Sequence, residues 1–179
     1  MTGRAWLLAA LAALAATTAR AEPVLLRLEP GSSEIAFRAY GMGVLPIDGT
    51  FGRFSGTLRL DPADPAACAI EVEAEVASLR MPDPAMTADA LGPDLLDAPR
   101  FPRFAYRGEC RGGPLQGALT LHGVTRALPF QVSREEGRFT ATAMMRRAEW
   151  GMGARPLLAG PEVRIRFSTA LPRAFHAGR

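Results

Sequence analysis

Between Ile70 and Val76 the chain alternates without a break: Ile70, Val72, Ala74 and Val76 are apolar, and Glu71, Glu73 and Glu75 are acidic. Successive residues of a strand point to opposite faces, so such a run buries one face and wets the other. The same period recurs. Ile35, Phe37 and Ala39 alternate with Arg38, and Leu58 and Leu60 with Thr57 and Arg59. Leu119 and Leu121 alternate with Thr120 and His122, and Phe130 and Val132 flank Gln131. Phe139, Ala141, Ala143 and Met145 alternate with Thr140 and Thr142, and Val163, Ile165 and Phe167 with Arg164 and Arg166. Breakers separate the runs: Asp61-Pro62 through Pro65, Gly112-Gly113-Pro114, Glu136-Gly137 and Gly160-Pro161. The pattern predicts an all-β domain of about eight antiparallel strands. A sheet with one apolar face must close on itself or pack on a second sheet.

One stretch departs from this rhythm. Pro82, Pro84, Pro93 and Pro99 fall between Met81 and Pro99, and no strand interior tolerates them. Met86–Leu91 is predicted as a short helix, and Pro93-Asp94-Leu95-Leu96-Asp97 as a further turn with proline in its first position. The segment is long for a hairpin loop. It reads either as a lid over a site or as a plug that caps the core.

The start of the chain reads as an export signal. Arg4 precedes the apolar run Ala5 to Ala16, and Ala19-Arg20-Ala21 offers small residues at both positions a signal peptidase reads. Cleavage after Ala21 is expected, and the run is too short for a bilayer span, which takes roughly 20 residues. The expected organisation is a signal peptide over 1–21, one domain over 22–172 and a loose tail over 173–179. Export to an oxidising compartment is then expected. Removing Arg4 and Arg20 takes the formal net charge from +3 to +1. All basic residues are arginine, without the basic stripe that marks a nucleic-acid binder.

An oxidising compartment favours pairing of Cys68 and Cys110. If consecutive strands are antiparallel neighbours, the strand starting at Cys68 begins beside the end of the strand near Arg103 to Cys110. Both cysteines then lie at one rim of the sheet, and a disulfide is predicted. Closing a loop of roughly 43 residues is worth on the order of 4 kcal/mol in the chain-entropy picture.

The inventory of reactive groups is thin, and no enzymatic activity is expected. The histidines are His122, on the polar face of a strand end, and His176, in the tail. No spacing of His and Cys suits zinc. There is no Gly-x-Ser-x-Gly elbow, no phosphate loop and no dinucleotide fingerprint, so no metal or cofactor is expected. Asp94 and Asp97 are expected to hydrogen-bond backbone amides in the lid turns, and Arg147 and Glu149 to pair at a turn.

Four stretches, taken in order, carry a resemblance. One is Leu119-Thr-Leu-His-Gly-Val-Thr-Arg126. Asp48-Gly-Thr-Phe-Gly-Arg-Phe-Ser-Gly-Thr-Leu58, with Leu60-Asp-Pro62 after it, looks like a first hairpin and its turn. Asp94-Leu-Leu-Asp-Ala-Pro-Arg-Phe-Pro-Arg-Phe104 looks like a lid leading into a strand, and Arg147-Ala-Glu-Trp-Gly151 like a turn before the last strand. Together they resemble the YceI-like family of periplasmic lipid-binding proteins. The resemblance implies an elongated, lipocalin-like antiparallel β-barrel with a short helical lid. It also implies an apolar pore for an isoprenoid chain, such as a polyprenyl phosphate or a quinone tail. Small inward residues, Ala39, Ala74, Ala141 and Ala143, would leave room for that chain.

Pore-lining candidates from the first hairpins are Phe37, Phe51, Phe54 and Leu58. The lid and the strand after it supply Leu91, Leu95, Leu96, Phe101 and Phe104, and the later strands Leu119, Phe139, Trp150 and Phe167. Each serves core packing as well as ligand contact. Two departures concern the mouth. Where the family often carries a histidine after its first strand, this chain has Gly41, and the lid begins Arg80-Met-Pro-Asp-Pro without the family's Arg-Asp pair. The mouth therefore suits a neutral head, such as a quinone, better than a phosphate. The implied partners are an isoprenoid lipid or quinone, with transient contact to a membrane or membrane complex. The competing reading is an accessory protein of a membrane respiratory or envelope complex, its barrel filled by its own side chains.

Overall fold

The computed structural model describes residues 22–41, 44–64, 66–135, 137–154 and 160–175. The expected signal peptide, His176 and the end of the tail lie outside the described residues. Twelve strands form two antiparallel sheets of six. The first contains β1 (Val24–Leu28), β4 (Phe54–Leu60), β5 (Ala67–Glu75), β7 (Arg103–Arg111), β8 (Gln116–Leu121) and β9 (Val124–Ala127), in that spatial order. The second runs β10 (Gln131–Glu135), β11 (Arg138–Arg146), β12 (Glu162–Ala170), β2 (Ser33–Gly41), β3 (Leu45–Phe51) and β6 (Leu79–Arg80).

The expected closed barrel of about eight strands is therefore corrected to two facing sheets that do not close. The all-β class stands, with more strands than the alternation marked. Short β6 and β9 carry too few residues to show a period. The break between β9 and β10 falls at Pro129, whose nitrogen cannot donate to a ladder. There the sheets meet through a single bridge, in which Leu115 and Phe130 exchange backbone hydrogen bonds of 2.9 Å.

Within the sheets the alternation holds. Ile70, Val72 and Ala74 are buried, while Glu71, Glu73 and Glu75 face water beside Arg107, Arg103 and Arg53. These exposed pairs add little stability, ~0–1 kcal/mol each. Cys68 and Cys110 are direct cross-strand partners of β5 and β7, with Cα atoms 4.8 Å apart, and they form the disulfide. It sits at the end of the first sheet remote from Leu121 and Arg103.

Two close approaches shape the interior. Tyr106 on β7 lies over Gly108 and Gly117, where a Cβ would collide with its hydroxyl, and so reaches Leu128 O at 3.0 Å. Burial pushes its phenol up to about 12. Trp150, in the 3-10 turn Arg147–Trp150 after β11, donates Nε1–H to Leu119 O at 3.2 Å and so ties the second sheet to the first.

The expected helix is present and slightly longer, as α1 (Pro84–Leu91). Asp83 caps it by accepting from Ala85 N–H at 2.7 Å, and Pro84 opens its first turn. The following turn closes through Leu96 N–H to Ala90 O at 3.0 Å and Asp97 N–H to Gly92 O at 2.9 Å. Asp97 acts through its backbone rather than its carboxylate: it adopts φ +43° and its carbonyl accepts from Phe101 N–H at 2.8 Å.

Candidate functional site

A cavity of about 360 Å³ lies between the sheets, under α1 and the turn that follows it. The inward positions of β2 and β3 supply Phe37, Ala39, Ile47 and Phe51, and those of β11 and β12 supply Ala141, Met145, Val163, Ile165 and Phe167. Opposite them stand Ile70, Val72, Phe104, Tyr106, Leu119 and Leu121 of the first sheet. Leu115 and Phe130, the bridging pair, reach its inner end. Met81, Met86, Ala90, Leu95 and Leu96 form the cover. An aromatic cluster runs through the wall: Phe51 stands 4.7 Å from Phe104, edge to face, and 6.3 Å from Phe37.

The polar side chains of this wall are Asp89, Tyr106 and Arg147. Tyr106 spends its hydroxyl on Leu128 O. Arg147 is buried, and desolvation holds its guanidinium below the ordinary arginine value. It donates to Gly160 O at 2.9 Å, to Ala154 O at 2.7 Å and to Met152 O. Its work is to hold the loop before β12, whereas Glu149, its expected partner, is exposed. Asp89 stands on the cover. Such a wall can bury an apolar chain. Among the described residues its charged side chains are one acid, Asp89, at the lid and one cation, Arg147.

Seven of the residues singled out in the sequence line this cavity: Phe37, Phe51, Leu95, Leu96, Phe104, Leu119 and Phe167. Six lie elsewhere. Leu58, Phe139 and Trp150 are fully buried among other core side chains, as is most of Phe54. Leu91 packs against the core from the end of α1. Phe101 lies outside, its ring 4.3 Å from His122 and under the Arg100 guanidinium. Of the small residues, Ala39 and Ala141 line the space, while Ala74 and Ala143 are buried away from it. Met81, Met86, Ile47 and Tyr106 were not singled out. Ile47 follows a proline within an uncharged run, Met81 precedes Pro82 and Met86 stands two residues after Pro84, so no alternation marked them.

His122 is structural in its contacts. Its φ is +52°, and its Nδ1 lies 3.1 Å from Trp150 O. Among the described residues no three His, Cys, Asp or Glu side chains gather as a metal site.

Known proteins with this architecture exist. BcnA of Burkholderia cenocepacia superposes with a TM-score of 0.65 at 24% identity, over 78% of this chain and 96% of that one. A polyisoprenoid binding domain from Saccharophagus degradans superposes with a TM-score of 0.59 at 14% identity, over 80% of this chain and 97% of that one. At such identities the likeness is one of fold. A UPF0312 protein of Pseudomonas savastanoi pv. phaseolicola is 31% identical over 124 residues, which are 65% of this chain and 64% of the relative. The chain thus aligns with less than two thirds of that relative's length. Residues 26–171, which hold both sheets but for the first two residues of β1, the cover and the cavity, match the YceI-like domain, and the chain belongs to that family.

Proposed function

We propose that this protein is a periplasmic binding protein, not an enzyme, and that its cavity holds the isoprenoid tail of a lipid with a neutral head, such as a quinone. The observation that carries this reading is the cavity wall, built from both sheets and almost wholly apolar. Each methylene moved from water into it is worth about 0.8 kcal/mol. The polyisoprenoid binding domain with the same fold supports an isoprenoid tail. The neutral head rests on Asp89 at the cover and on Arg147, which serves backbone carbonyls. The periplasm rests on the export-like first 21 residues. An accessory protein with a filled interior is disfavoured by the open space between the sheets.

Native mass spectrometry and lipid extraction of protein purified from its own host test the reading. Co-purifying prenylquinones are expected. Recovery of polyprenyl phosphates alone would overturn the neutral head, and a ligand-free protein that also ignores added prenylquinone would overturn lipid binding.

A further inference from the structure

The tip of the β2–β3 hairpin has the glycines of an ordinary turn, Gly41 and Gly43, but exposes aliphatic side chains beside them. Nine consecutive residues, Ala39 to Ile47, carry no charge. Turns in water favour Gly, Asn, Asp and Ser, yet Val44 is 75% exposed and Leu45 54% exposed here. The next residue, Pro46, is exposed too. The uncharged stretch is sharply bounded. At its base Arg38 donates Nε–H and Nη2–H to the two carboxylate oxygens of its cross-strand partner Asp48, at 2.7 and 2.8 Å.

The pleat joins this tip to the cavity. Residues two apart on a strand share a face, so Leu45 lies on the face of Ile47, and Ile47 lines the cavity. Leu45 stands one pleat repeat further out, roughly 7 Å along the strand. Apolar wall therefore continues past the mouth onto exposed surface. Met86, on the cover over the same mouth, is exposed as well.

The charge beside the tip has a sign. Across the outer face, Met144, Arg164, Arg38 and Asp48 form one cross-strand row. Arg164 directly faces Arg38, a pairing that repels unless an anion neutralises it. Asp48 supplies one carboxylate, and among the described residues Arg164 has no acidic partner. The row keeps one positive charge in excess, with exposed Met144 beside it.

We propose that the β2–β3 tip is a membrane-docking element: Val44 and Leu45 enter an anionic phospholipid surface, Arg164 meets its phosphates, and the Leu45–Ile47 strip leads lipid to the cavity. This rests on the lipid-binding reading for its purpose, since a chain buried in a bilayer must be taken up there. The docking itself is measurable without any ligand. Exposed aliphatic groups gain from entering the acyl boundary, and an anionic leaflet attracts each nearby arginine.

The test is co-sedimentation of the purified protein with phosphatidylcholine vesicles, with and without phosphatidylglycerol. Sedimentation is expected, stronger with phosphatidylglycerol. Val44→Asp with Leu45→Asp should weaken partitioning roughly a hundredfold, and the milder Val44→Ser with Leu45→Ser should weaken it in the same direction. Arg164→Gln should lower the preference for phosphatidylglycerol about fivefold. Arg164→Gln should bind a soluble, short-tailed fluorescent prenyl probe as the unaltered protein does, and the tip variants should keep its urea unfolding midpoint. Unaltered protein that ignores both vesicles, or an aspartate variant that sediments equally, overturns docking. So does a tip that cross-links to an envelope protein while vesicles leave it in solution. Failure of unaltered protein to bind the probe would sink the lipid-binding reading instead, while sedimentation still decides docking.

Discussion

The ring of Phe37 lies so close to Gly49, its direct cross-strand partner, that a Cβ at Gly49 would stand 2.4 Å from Phe37 Cε1. No real Cβ tolerates that distance. The glycine therefore sets where the ring sits, and the ring is part of the cavity wall. Gly49→Ala should drive Phe37 toward the cavity. The expected cost is about 1–3 kcal/mol of stability, as for other overpacked sites, together with weaker binding of a prenyl probe. Urea denaturation and fluorescence titration read the two effects. An unchanged protein would mean the ring has a second resting place.

Filling the cavity from the opposite strand should separate binding from folding. Ala141 is buried and borders the open space. Ala141→Leu adds apolar volume where volume is free, so stability should change by less than about 1.5 kcal/mol. Probe affinity should fall at least roughly tenfold, about 1.4 kcal/mol of lost binding. Full affinity in this variant would place the ligand elsewhere.

Tyr106 gives the fold an alkaline limit. Its folded value is about 12 against an ordinary 10.0, raised by burial. A group whose folded value is raised contributes stability below the unfolded value and loses it as pH climbs to the folded one. The loss should run from about pH 10 to about pH 12 and be on the order of 2 kcal/mol. Tyr106→Phe should show a flatter stability profile across that window, followed by urea denaturation at each pH.

The disulfide should matter for folding and not for the mouth. Cys68 and Cys110 pair at the end of the first sheet away from the cover. Replacing both by alanine should cost up to about 4 kcal/mol, since the bridge closes a long loop. The variant that folds should bind the prenyl probe with unchanged affinity. A large loss of affinity at full folding would show that the rim communicates with the cavity.

The inward faces of the strands were legible because period two is written residue by residue. Depth along a face was not. Phe139, Ala141, Ala143 and Met145 occupy one face of β11, yet only Ala141 and Met145 meet the open space. Phe139 is covered by neighbours instead, with Phe167 at 6.4 Å and the Arg134 guanidinium over its ring. Which of them meets a void depends on what faces it from the other sheet, and no local pattern carries that. Closure was illegible for a similar reason. It depends on whether the ends of β6, β9 and β10 find ladders, and two- and four-residue strands leave no period to read. The disulfide was legible because strand order alone brings its ends together. The cover was half legible: its prolines showed where strands stop, and the methionines that reach the cavity carried no signal.

A barrel closed by continuous ladders has a bore dictated by strand number and shear. These two sheets are joined instead by discrete contacts, among them the Leu115–Phe130 bridge, Gly52 N–H to Ser78 O where β3 passes into β4, Arg134 reaching Ala67 O, and Trp150 reaching Leu119. Between those contacts, their spacing is set by the side chains that stand between them. The protein is built as a clasp rather than a pipe, and on the lipid-binding reading proposed above one set of walls would take tails of different girth.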